Sequence, residues 1–232
     1  MKRTWSQLTN RFEKAAYRAG LDSVAYRLWR YNPAGLYRRY KDREFDRELQ
    51  VDTSAVVGRV GYEPTPVEIF KEMLGGLELR HEDFVFVDFG SGKGRTLLLA
   101  AQYPFQRVVG VEFSRELHEI AETNIRQLAP SLACQSVESV CTDAVRFLIP
   151  CQPALFYLFN PFKESVLTEL LQNIGESLSS HPRPMFLLFY APVRRGAPWD
   201  RRPILDACDF LTLIRSREAY AVYSNRQLIP QQ

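Results

Sequence analysis

The sequence predicts an α/β fold: a mostly parallel sheet with helices on both faces, an antiparallel last strand, and a helical appendage at the N-terminus. Three observations carry this reading. From Val67 onward, apolar runs of strand length alternate with segments of helical periodicity. A glycine-rich turn, Gly90-Ser91-Gly92-Lys93-Gly94, follows the first of those runs. The final two runs, Phe210–Ile214 and Ala219–Tyr223, are close enough to pair as an antiparallel hairpin.

Taken in order, Thr65-Pro66-Val67-Glu68 reads as a helix start, with Thr65 as cap, Pro66 at the first helical position and Glu68 closing a capping box. That helix ends near Gly75-Gly76. Phe84–Asp88 is a buried strand entering the glycine turn, and Arg95–Tyr103 is helical. Arg107–Phe113 is the next strand, after which Ser114 caps a helix reaching Leu128. Val137–Thr142 and Ala154–Phe159 are strands, Glu164–Leu178 a helix, and Pro184–Tyr190 a strand. Three zones result: a basic helical cap over residues 1–49, a connector over 50–66, and the α/β domain over 67–232.

Charge is unevenly placed. Residues 1–50 hold 12 Lys/Arg against 6 Asp/Glu, while residues 51–232 hold 18 against 21. The basic arm also carries Trp5, Phe12, Tyr17, Tyr26, Trp29, Tyr31, Tyr37, Tyr40 and Phe45. Interleaved aromatics and arginines suit nucleic acid. The recurrence of Trp5, Leu8, Phe12, Ala15 and Ala19 at helical spacing favours helices that pack on the body, broken by a turn at Asn32-Pro33-Ala34-Gly35. No apolar run approaches the ~20 residues that span a bilayer, and no secretory pattern opens the chain. The expectation is a cytoplasmic protein without a membrane partner. Cys134, Cys141, Cys151 and Cys208 lack metal-ligand spacing and read as small buried hydrophobes. His81, His118 and His181 read as surface residues, so no metal site is expected.

The stretch Asp88-Phe89-Gly90-Ser91-Gly92-Lys93-Gly94-Arg95 carries the chemistry. Glycines at alternate positions let backbone approach a ligand closely, and loops at the carboxyl ends of strands are where α/β sheets bind ligands. A dinucleotide site wants a glycine where Arg95 stands. Asp88 at the loop entrance disfavours a pyrophosphate and favours a cation, such as the ammonium and sulfonium of S-adenosylmethionine (SAM). Glu112 ends the next strand, 24 residues on, where a carboxylate accepts hydrogen bonds from ribose hydroxyls.

This motif resembles the first motif of class I SAM-dependent methyltransferases, and Glu112 matches the acidic residue of their second strand. Thr142-Asp143-Ala144 resembles their segment after the third strand, which meets the adenine. The resemblance covers about residues 62–224. It implies a Rossmann-like sheet of seven strands with an antiparallel last strand, SAM as cofactor, and a cofactor site made of Tyr62, Thr65, Asp88, Gly90, Ser91, Gly92, Gly94, Glu112, Phe113, Asp143, Ala144 and Asn160.

On the acceptor side, Asn160-Pro161-Phe162 resembles the Asn/Asp-Pro-Pro-Tyr/Phe motif of amino-methyltransferases, with one proline where that motif has two. Asn160, Pro161 and Phe162 are therefore the candidate catalytic residues: an amide oxygen orients an amine lone pair, and an aromatic ring faces it. Gly61-Tyr62-Glu63-Pro64-Thr65-Pro66 is similar to the segment that closes over SAM in seven-strand lysine methyltransferases of the non-SET type. The expected acceptor is an amine nitrogen, with a protein lysine leading. A nucleic-acid acceptor, a small-molecule acceptor and a SAM-binding scaffold without catalysis are the alternatives. Glu63 is the carboxylate placed to serve as a base if one is needed.

Overall fold

The computed structural model describes residues 33–54, 62–160, 162–193, 195–197 and 199–225. Helix α1 (Pro33–Leu49) and helix α2 (Val67–Gly75) precede the sheet. The sheet and its crossovers then run β1 (Val85–Phe89), α3 (Arg95–Ala100), β2 (Arg107–Glu112), α4 (Arg115–Leu128), β3 (Val137–Cys141), β4 (Ala154–Leu158), α5 (Glu164–Ser180), β5 (Met185–Tyr190), α6 (Arg202–Asp206), β6 (Leu211–Ser216) and β7 (Tyr220–Asn225). Strand order is β3-β2-β1-β4-β5-β7-β6. β7 enters antiparallel between β5 and β6, and the remaining pairs are parallel. This is the seven-stranded, Rossmann-like sheet that the resemblance implies. The strand order reverses between β1 and β4, and open α/β sheets bind ligands at that switch.

Every residue of β1 and β4 is buried, as expected of strands covered on both faces. Side chains alternate between the faces. Val85, Val87 and Phe89 join the apolar cluster under α5, with Phe156, Leu167 and Leu187. Phe86 joins the opposite cluster, with Phe45, Phe70, Leu97 and Tyr157. The same alternation turns Asp88 to the side of Phe86. There it is 2% exposed, with Gly110 and Tyr157 as its register partners on the neighbouring strands.

Several local readings need correction. Thr65 does not cap α2. Its hydroxyl shares a 2.6 Å hydrogen bond with the Tyr157 phenol, Pro66 stands at the cap position without a side-chain bond, and Asp42 of α1 accepts from the Val67 N–H at 3.1 Å instead. A carboxylate brought in by tertiary packing replaces the local cap. Pro33, Ala34 and Gly35 open a helix rather than forming a turn, consistent with proline's preference for the first helical position. Helix α6 has no counterpart in the sequence reading, because five residues carry no periodicity. Ser114 does cap α4, accepting from the Leu117 N–H.

Of the cysteines only Cys134 is buried; Cys141 and Cys151 are exposed and Cys208 is half-buried. His81 is not a plain surface residue: it stacks on Tyr103 at 5.0 Å and meets Phe105 edge-on at 4.9 Å, and burial lowers its pKa. Among the described residues no His/Cys/Asp/Glu cluster could hold a metal, and no helix is long and apolar enough to cross a membrane.

Candidate active site

The glycine loop turns sharply out of β1. Gly90, Gly92 and Gly94 all have positive φ, at 84°, 54° and 83°. Gly92 is the most constrained, because a Cβ there would lie 2.1 Å from the Tyr62 ring. Tyr62 thus packs directly on the loop, where only a glycine leaves room for it. The Gly92 N–H donates to Glu112 Oε2 at 2.8 Å, and the Ser114 N–H donates to Glu112 Oε1 at 2.7 Å. Glu112 therefore ties the end of β2 to the loop with both oxygens. Each oxygen keeps further lone-pair capacity for a ligand hydroxyl.

Asp88 lies beneath the loop, bonded to the Thr96 hydroxyl. Burial pushes its pKa up to about 7; the Thr96 bond opposes this and the nearby Glu112 charge adds to it. A buried carboxyl so placed is stabilised as a carboxylate when a cation arrives. Asp143 Oδ1 accepts from the Val145 N–H at 3.1 Å and starts a short 3-10 turn that places Ala144.

These elements surround a cavity of about 880 Å³, a size typical of small-molecule sites. Tyr62, Gly90, Gly92, Glu112, Phe113, Asp143, Ala144, Asn160 and Phe162 line it. Thr65, Asp88, Ser91 and Gly94 do not; they lie behind the loop and support it. Pro161 lies outside the described residues. Phe113 is 78% exposed at the rim, a free ring face beside Glu112. The sequence reading passed over Val111, Ser114, Leu117, Phe159, Lys163 and Val166, which also line the cavity. Ser114/Leu117 and Lys163/Val166 are pairs three apart at helix starts, and that spacing puts both members of a pair on one helical face.

Asn160 follows β4 with φ 33°, in the left-handed region. Asparagine tolerates it better than most residues, but non-glycine residues there are held by their surroundings. Its Nδ2 donates to the Trp199 carbonyl at 3.1 Å. Its Oδ1 is buried without a donor, and so is the Ser91 hydroxyl of the loop. Orphaned buried polar atoms are costly; Asn160, which lines the cavity, fits a site completed by a polar ligand, whereas the Ser91 hydroxyl lies behind the loop, toward Gly110 of β2. Among the described residues, Glu112, Glu63 and Asp143 bring three carboxylates to the cavity against one cation, Lys163. This balance suits a cationic cofactor.

Beneath the loop, the basic residues of the motif turn away from the cavity. Lys93 Nζ pairs with Asp52 at 2.8 Å. Arg95, 2% exposed, pairs with Asp42 at 3.0 Å and Asp46 at 3.1 Å, both on α1. Its Nε donates to Thr53 Oγ1 at 2.6 Å, Thr53 in turn donates to Asp46, and the guanidinium lies 5.8 Å over the Phe45 ring. Asn124 of α4 closes the assembly by donating to the Asp52 and Lys93 carbonyls. Among the aromatics of the basic arm, Phe45 packs inward as expected. Tyr37 and Tyr40 are more than half exposed, because they stand on the side of α1 away from Arg95. The arm's periodic residues from Trp5 to Tyr31 lie outside the described residues.

Comparison with known proteins agrees with this architecture. The family described as histone methylation protein DOT1 matches residues 50–142, a span running from the connector through the glycine loop and Glu112 to Thr142. The fold is similar to precorrin 8W decarboxylase of Methanobacterium thermoautotrophicum, with TM-score 0.52, 20% identity, and coverage of 75% of this chain and 98% of that one. It is also similar to precorrin-6y C5,15-methyltransferase of Geobacter metallireducens, with TM-score 0.51, 14% identity, and coverage of 78% and 94%. An RNA methyltransferase of Salinibacter ruber, in complex with S-adenosyl-L-homocysteine, matches at 24% identity with TM-score 0.46, covering 73% of this chain and 98% of that one. No curated protein matches the chain. The fold and the cradle around the glycine loop are similar to those of class I SAM-dependent methyltransferases. The cofactor-side segment is similar to the DOT1 histone-methylation family.

Proposed function

We propose that this protein transfers the methyl group of SAM to an amine nitrogen, with a lysine side chain of a protein as the acceptor. The observation that carries this reading is Asn160. It lines the cavity at the end of β4, and its Oδ1 is a buried acceptor with no donor, while Nδ2 is already committed to Trp199. An amine N–H satisfies that oxygen and is thereby turned so that its lone pair faces the methyl carbon. The similarity to a family named for histone methylation supports a protein acceptor.

On the cofactor side, Glu112 takes the ribose hydroxyls, Phe113 covers the adenine, and Asp143 and Ala144 meet its edge. Asp88, behind the cavity lining, acts on the α-ammonium as a negative charge beneath the loop, and Gly90, Ser91, Gly92 and Gly94 let backbone approach the ligand. Tyr62 closes over the loop, with Thr65 holding that segment to Tyr157. When bound, SAM supplies a methyl group on a sulfonium, and the sulfur leaves with the bonding electrons as a neutral thioether. Asn160 and the ring of Phe162 position the attacking amine. A lysine arrives protonated, with a free pKa near ~10.4; the apolar walls given by Phe159 and Phe162 favour its neutral form while the cavity's carboxylates favour the charged one, so the proton must be carried off before attack. Glu63 lines the same cavity as the carboxylate available to carry the proton out.

The deciding experiment is transfer of tritiated methyl from SAM into a cell lysate, resolved into protein, RNA and small-molecule fractions. Label in protein lysine supports the reading, and label confined to RNA or small molecules overturns it. With the labelled protein fraction as acceptor, Asn160→Ala is expected to slow transfer by roughly tenfold to a thousandfold, with SAM affinity little changed. Transfer at the wild-type rate removes Asn160 from the mechanism.

A further inference from the structure

The amide of Asn160 has two possible orientations, and only one presents an oxygen to an incoming amine. The other presents an NH2 group, which repels an N–H donor. Its neighbour decides between them. A backbone carbonyl only accepts, so the Trp199 carbonyl at 3.1 Å requires Nδ2 on its side. The Asn160 orientation is therefore only as secure as the Trp199 carbonyl.

That carbonyl sits in a segment closed on itself by a buried ion pair. Arg202, fully buried, donates from Nε to Asp200 Oδ1 at 2.6 Å, from Nη2 to the Val193 carbonyl at 2.6 Å, and from Nη1 to the Glu218 carbonyl at 3.1 Å. Asp200, 7% exposed, also accepts the Arg202 N–H at 3.1 Å through Oδ1 and the Gly196 N–H at 2.8 Å through Oδ2. The pair thus holds both ends of the segment that follows β5 and its turn at Gly196. A buried charged pair is weak evidence for stability, because desolvation offsets its attraction. Its effect is to fix one loop geometry.

We infer that Asp200 and Arg202 are positioning residues for methyl transfer: they hold the Trp199 carbonyl where it takes an Asn160 amide proton, leaving Asn160 Oδ1 turned to the acceptor amine. The inference rests on the amine reading of Asn160. Neither residue lines the cavity, so both act through Asn160 and leave the cofactor side untouched.

The test uses the full chain with Arg202→Lys, which keeps the charge but whose single nitrogen cannot span the Asp200, Glu218 and Val193 oxygens that three guanidinium nitrogens reach. Asp200→Asn, which loses one of two acceptor oxygens, serves as the milder variant if the first does not fold. Three readouts are taken: the rate of tritiated methyl transfer into the protein fraction of a cell lysate, SAM affinity by calorimetry, and the Asn160 side-chain amide signal in 15N-labelled protein with S-adenosylhomocysteine. The expected result is a rate about tenfold lower, SAM affinity within about twofold of wild type, and a displaced, faster-exchanging Asn160 amide. In an Asn160→Ala background, Arg202→Lys is expected to cost nothing more. A folded variant with wild-type rate and an unmoved amide signal overturns the inference while leaving the amine reading intact, as does a full rate loss that persists in the Asn160→Ala background. Wild-type transfer by Asn160→Ala alone removes Asn160 from the mechanism, and this inference with it, while label confined to RNA or small molecules removes the amine reading itself.

Discussion

At the scale of single residues, Asp88 is the group whose state the environment changes most usefully. Its pKa is pushed up by burial from 3.8 to about 7, so between those values the folded, ligand-free protein binds a proton that the unfolded chain does not. Stability of the ligand-free protein is then fully present below the unfolded pKa and falls as pH rises toward 7. The ammonium of SAM reverses the preference by favouring the carboxylate, so binding below pH 7 releases a proton. SAM affinity is expected to be roughly tenfold weaker at pH 6 than at pH 7.5, read by calorimetry in two buffers of different ionisation enthalpy. Affinity that does not change with pH would show that the charge of Asp88 does not act on the ammonium. Gly92 gives a second residue-level expectation. Alanine there meets the Tyr62 ring and a φ of 54°, a strain of about 1–3 kcal/mol. Gly92→Ala is expected to displace Tyr62 and weaken SAM by at least about tenfold, visible as loss of tyrosine fluorescence change on titration.

At the scale of elements, α1 is bound to the cofactor loop by buried charge. Arg95 carries Asp42 and Asp46 on one side and Thr53 on another. Removing one partner of such a set leaves uncompensated buried charge, at a cost of about 3–5 kcal/mol. Arg95→Met is expected to lower the melting temperature by roughly 6–20 °C and to raise hydrogen exchange across α1 and residues 51–54. An unchanged exchange pattern there would show that α1 is held by its apolar contacts alone. These elements also show what a sequence yields. The strands were legible because their apolar runs are flanked by glycines and polar breaks, and β1, β2, β4 and β5 begin and end within a residue or two of the expected places. The glycine loop and Glu112 were legible because strand-turn-helix chemistry is local. The Asp42 cap of α2, the Asp46–Thr53–Arg95 assembly and the Trp199–Asn160 bond were not. Each joins residues 25, 42 to 49 and 39 positions apart, and no local pattern marks such pairs.

At the scale of the whole molecule, the sheet divides the work. One face, under α1 to α4, holds Asp88 and the aromatic cluster of Phe70, Phe86 and Tyr157. The other, under α5 and α6, carries a second hydrophobic cluster, of Phe89, Phe156, Leu170 and Leu187 among others. The cavity opens at the carboxyl ends of β1, β2 and β4, where the loops of both faces converge. Glycine-rich turns elsewhere use a lysine and backbone N–H groups to trap phosphate. In this protein Lys93 and Arg95 are both drawn underneath by Asp52, Asp42 and Asp46, while the cavity keeps Glu63, Glu112 and Asp143. Toward a triphosphate, the described residues of the cavity offer one lysine, Lys163, against these three carboxylates, a balance that favours an adenosine bearing positive charge over ATP. The helix before the sheet and the segment that follows it thereby act on ligand choice without touching the ligand, by deciding which way two side chains of the loop face.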